Sequence, residues 1–180
     1  MSKYIWLVVS FALVYVLGDA ILTQINKSAK ATRIGCQKKA ISFERVYLKE
    51  DIKSAQKLLR EGNIEFTSSV QKAKYTKSKL FEYVKLFETD EVLKSALKQY
   101  AKEKKISDNK LNISYYIYEN DVNDPGKKTK KSKLYAGYVV FRFFNQKEEP
   151  IYQVQIDFMN KEGKDLPQRI ECAIESFNTL

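Results

Sequence analysis

The chain has 180 residues, 44% hydrophobic and 13% aromatic, and contains no histidine. That size suits one domain with a real core, and the composition excludes a disordered chain. A formal net charge of +10 points to an anionic partner, either a membrane surface or an acidic protein, with nucleic acid a poorer fit for an exported chain.

Residues 4–17 carry no charge, Lys3 precedes them, and Val16, Gly18 and Ala20 supply small residues at the end. This is the pattern of a secretory signal peptide. The alternative is a retained membrane anchor, but a span of about 20 residues from Tyr4 would bury Asp19. Residues 1–20 are therefore read as signal peptide or anchor. Residues 21–180 are read as a single α+β domain, periplasmic, secreted or held at the outer face of a membrane. Cys36 and Cys172 suit an oxidising compartment, and a bridge between them would tie the first exported segment to the last helix.

The next stretch reads as helical over about 40–104. Ile41, Leu48, Ile52, Ala55 and Leu59 form a stripe that Gly62 can end, which predicts one helix over 40–61. A second helix is expected from Ser68 or Ser69, with Ala73, Leu80, Val84 and Phe87 aligned. Thr89 is the expected cap of a third, carrying Leu93, Ala96, Leu97 and Tyr100.

Three aromatic, β-branched runs follow at 111–118, 133–144 and 151–158. In the last, Tyr152, Val154, Ile156 and Phe158 alternate with Gln153, Gln155 and Asp157. The expected sheet, over about 111–160, is a three-stranded antiparallel meander preceded by N-terminal helices. A C-terminal helix over about 166–178 closes it, with Asp165 as N-cap and Pro167 in its first turn. Two strands followed by a Cys-bearing helix, over 136–177, resemble in order the C-terminal domains of TonB and TolA. Those families' Pro-rich spacer and final strand are missing here.

Without histidine, Ser-His-Asp and Cys-His pairs and most zinc sites are ruled out, and no metal or other cofactor is expected. A small exported enzyme would have to use carboxylates, and Glu148-Glu149 is the pair at hand. Binding is the stronger expectation. Lys127, Lys128, Lys130, Lys131 and Lys133 crowd the connection between the first two strand runs, and Lys72, Lys74, Lys77 and Lys79 form an acid-free run. These nine lysines are the candidate anion-binding residues of a non-enzymatic envelope protein. A DNA-binding module of an uptake or transfer apparatus is a further alternative, and would use tyrosines near the lysines.

Overall fold

The computed structural model describes residues 29–103, 105–127, 129–130 and 134–180. The apolar start and the boundary at residue 20 lie outside them, as do Lys128, Lys131 and Lys133. Among the described residues no helix is long and apolar enough to cross a membrane.

The fold is α+β, but the expected three-stranded meander is half of a larger sheet. Six strands lie in the order β1-β2-β6-β5-β4-β3. They are β1 (Ala29–Lys30), β2 (Ser42–Val46), β3 (Ile64–Gln71), β4 (Leu111–Glu119), β5 (Gly137–Phe144) and β6 (Pro150–Phe158). Every pairing is antiparallel except β3 with β4, which run parallel with Ile64 opposite Leu111 and Gln71 opposite Tyr118. Among the described residues four α-helices complete it: α1 (Ile52–Glu61), α2 (Leu80–Tyr83), α3 (Leu86–Tyr100) and α4 (Leu166–Asn178).

Two of the expected N-terminal helices therefore give way in part to strands. The helix expected over 40–61 splits into β2 and α1. In β2 the inward positions belong to Ser42 and Glu44, which pair across with Ile156 and Val154, so polar residues stand where apolar ones would reveal a strand. Gly62, at φ +76°, does end α1, where a left-handed residue closes the helix and its N–H reaches the last carbonyls. The expected break and helix start around residues 64–69 are instead β3. Ile64, Phe66, Ser68 and Val70 face inward and Glu65, Thr67, Ser69 and Gln71 outward. Thr89 caps nothing; it lies inside α3, three residues past its start, and its hydroxyl meets the Leu86 carbonyl and the Tyr115 hydroxyl.

The helices cover one face of the sheet. Phe177 of α4 stacks on Phe143 at 4.1 Å between ring centroids, and Tyr115 lies parallel to Phe141 at 4.9 Å. Leu59, Leu93, Ile113, Val154, Ile170 and Phe177 are fully buried in this core. Asp165 occupies the N-cap position of α4, but its carboxylate turns back to accept from the Met159 and Asn160 N–H groups.

The N-terminal segment is fastened to α4 twice. Cys36 and Cys172 form a disulfide with their Cα atoms 5.7 Å apart. Beside it the Arg33 guanidinium donates to both oxygens of Glu44, at 3.0 and 3.1 Å, and to the Ser176 carbonyl at 2.8 Å. Gln37 links Glu44 to Ser176, and the Tyr152 hydroxyl donates to Glu44 at 2.7 Å. Burial alone would raise the Glu44 carboxyl, but the hydrogen bonds from Arg33 and Tyr152 outweigh it and hold it below its ordinary range.

Replacing both cysteines by serine should lower unfolding free energy by about 3–5 kcal/mol, because the loop that the bridge closes is long. Urea unfolding of the two proteins measures the difference. Equal midpoints would show that the Arg33–Glu44 cluster holds the segment unaided.

Candidate basic and aromatic site

The lysine run of residues 72–79 and Lys127 of the second predicted group come together at the end of the sheet where β3 and β4 finish, called here the upper end. The parallel register puts Gln71 beside Tyr118, so the chain leaving β3 and the chain leaving β4 start side by side. Consecutive residues at the end of β4 then fix both loops. The Glu119 carboxylate accepts from the N–H groups of Lys79 at 2.8 Å and Leu80 at 3.1 Å. Asp121 accepts from the N–H groups of Lys74 and Tyr75, each at 2.6 Å, and from the Thr76 hydroxyl at 2.7 Å. Between them, Asn120 accepts from the Lys127 ammonium and donates to the Tyr135 carbonyl. Desolvation would raise the Asp121 carboxyl, but these donors hold it below its ordinary range.

The two acids thus satisfy backbone donors of the loop at 72–79 and leave its lysine side chains outside. Lys72, Lys74, Lys77 and Lys79 are all exposed. Exposed aromatic rings stand among them. The Lys72 ammonium lies 4.6 Å from the Phe81 ring centroid, and that of Lys74 lies 5.6 Å from the Tyr75 ring. Tyr83, at the end of α2, is exposed as well.

The described ends of the second loop pack against the sheet. Gly137 begins β5 where the Tyr118 carbonyl and the Phe158 ring approach so closely that any Cβ would overlap both. Lys130 is exposed, but Lys127 is half-buried, with its ammonium 5.3 Å from the Tyr135 ring and 5.8 Å from the Tyr118 ring. Burial pushes its pKa down. Lys127 is therefore part of how the loop is built, whereas Lys130 remains available at the surface.

Nearby, on the face of the sheet without helices, lies a carboxylate that sequence reasoning left in solvent. Asp157 alternates outward as expected, yet only 4% of it is exposed. It is paired across the ladder with Tyr138, which stacks on Tyr118 at 4.7 Å. Burial pushes its pKa up to about 6, against weaker opposition from a Gln155 hydrogen bond and from the Lys127 and Arg169 charges.

The carboxylate pair considered for catalysis is split. Glu149 accepts from Asn145 at 2.9 Å, while Glu148 sits exposed in the β5–β6 turn with a left-handed φ of 60°. Glu148 and Glu65 line an open hollow of about 420 Å³ at the lower end, and both are exposed. Among the described residues no group of three metal-ligating side chains converges.

Compared with family models, with characterised proteins and with solved structures, the chain matches none, so neither TonB nor TolA supports the reading.

Two outcomes follow from this geometry. Replacing Asp121 by Asn leaves backbone N–H groups of Lys74 and Tyr75 without their charged acceptor, so trypsin should cut within residues 72–79 several-fold faster than in the wild type. Asp157 behaves differently. The folded protein binds its proton more tightly than the unfolded chain does, so its charge costs stability above about pH 6 and the cost fades as the pH falls toward about 4. Asp157→Asn should therefore be more stable than the wild type at pH 7.5, by about 2–3 kcal/mol, and indistinguishable from it near pH 4. Thermal unfolding of both proteins across that range checks the sign.

Proposed function

We propose that this chain is an exported, non-enzymatic binding protein whose upper end docks on an anionic membrane surface. One observation carries the reading: four exposed lysines and the exposed rings of Tyr75 and Phe81 share a loop and helix that carboxylates hold in a fixed shape. Lysines near an anionic bilayer contribute about 1 kcal/mol each. Rings beside them add apolar contact at the headgroup level, where a side chain with a wet end and an apolar body is most at home. Lys130 extends the same charged end. Export is part of the proposal, supported by the signal-like start and compatible with the disulfide.

Cosedimentation with vesicles tests it. The wild type should bind vesicles rich in phosphatidylglycerol and ignore phosphatidylcholine vesicles, and added salt should weaken binding. Replacing Lys72, Lys74, Lys77 and Lys79 by Gln should reduce the bound fraction at least about tenfold while leaving the circular dichroism unchanged. Phe81→Ala should weaken binding at high salt, where the apolar contribution remains. Equal binding by wild type and quadruple variant would sink the proposal. Single-stranded DNA that displaces the vesicles and depends on Tyr75 and Phe81 would favour the nucleic-acid reading instead.

A further inference from the structure

At one edge of the sheet stands β1, described over Ala29–Lys30. At the other, β3 runs for eight residues without proline or lysine, and its only charge is Glu65. Among the described residues no backbone group beyond β4 bonds to β3. Its inward side chains Ile64, Phe66 and Val70 are only half-buried, as expected of a strand with one neighbour missing.

Helix α3 lies along this edge and runs opposite to β3. The Ser68 hydroxyl bonds the Asp90 carboxylate at 3.2 Å, which sets the height of the helix against the strand. At about 1.5 Å per helical residue and 3.3 Å per strand residue, Phe87 stands near the level of Val70. Phe87 is 69% exposed, the most exposed aromatic ring among the described residues. On the same scale Leu97 and Ala101 lie lower, near Ile64. There a hollow of about 220 Å³ opens, lined by Gly62, Ile64, Phe66, Leu97 and Ala101 together with the stems of Lys94 and Lys98. The molecule thus carries a projecting ring near one end of the edge and an apolar socket near the other.

We propose that two copies of this chain pair through β3, antiparallel about a two-fold axis at Thr67, to form one continuous twelve-stranded sheet. This register keeps the helices of both copies on the same side. It sets Ile64 opposite Val70, Phe66 opposite Ser68, Glu65 opposite Ser69, and Thr67 opposite its own equivalent, so no like charges face each other across the ladder. It brings Phe87 of each copy to the socket of the other, reciprocally, as an isologous interface requires. It also complements charge. Glu91 and Lys94 lie within one turn on α3 and pair at 2.7 Å within a copy. Across the axis Glu91 of one copy meets Lys94 of the other, so acids and bases alternate around it. This inference is independent of the membrane reading, because it uses the edge of β3 and the side chains of α3 and none of the loop lysines.

The register itself supplies the test. Directly opposed residues in an antiparallel pair have Cα atoms about 4.5–5.5 Å apart, within the range a disulfide spans. Full-length Thr67→Cys, in mild detergent and under gentle oxidation, should form a covalent dimer. Glu65→Cys alone should not, but mixed with Ser69→Cys it should give the heterodimer. Sedimentation equilibrium of the wild type should show a dimer, and Phe87→Lys, at an exposed position that leaves the fold intact, should weaken it about tenfold or more. A wild type that stays monomeric up to about 0.1 mM would overturn the proposal. A dimer that fails to cross-link at Thr67 would overturn it equally, because that dimer uses another surface.

Discussion

The parallel ladder between β3 and β4 is the constraint on which the rest of the surface depends. Because these strands run the same way, the chain must travel back through α2 and α3 before β4 can begin. That return brings the loop at 72–79 to the end of β4, where Glu119 and Asp121 can reach its backbone N–H groups. It also puts β3 on the outside of the sheet. An antiparallel hairpin in the same position would have needed only a tight turn, and the lysines would have been lost with the connection.

Acids organise this basic end. Backbone donors in a loop need acceptors, and a carboxylate can take several at once. With Asp121 engaged by Lys74, Tyr75 and Thr76, the lysine ammonium groups have no acid of their own loop to fold onto. The loop therefore turns its positive charge outward. Neighbouring Lys127 takes the opposite course and is drawn in among Tyr118, Tyr135 and Asn120, losing solvent as it does so. Density of lysine in a sequence is thus a poor guide to density of charge at a surface.

What could be read from the sequence was local or strongly periodic. The antiparallel run β4 to β6 carries its alternation openly, α4 has a continuous apolar stripe, and Gly62 marks a helix end by its backbone alone. The bridge between Cys36 and Cys172, expected from a signal-like start and just two cysteines, is present. Strand β2 was hidden because polar Ser42 and Glu44 occupy its inward positions, Glu44 being held there by Arg33, Gln37 and the distant Tyr152. Strand β3 was hidden because serine and threonine flatten its hydrophobic alternation, and because its partner begins 47 residues later in the register. The contacts of Glu119 and Asp121 with the lysine loop span 39 to 47 residues, and no local pattern encodes them. Asp157 kept its expected face, but the neighbouring rings that bury it come from other elements.

The bridge at Cys36 also determines how the domain would carry a load. Tension applied to the chain ahead of Ala29 would meet β1 first. Six residues past β1 the pull would reach Cys36, and from there it would pass through a covalent bond into the middle of α4, which is packed against the sheet. Strand β2 and everything after it would lie behind that junction. Mechanical strain arriving from the N-terminal side would therefore be delivered to the most deeply buried helix, while β3 and the lysine loop at the far side of the sheet stayed slack.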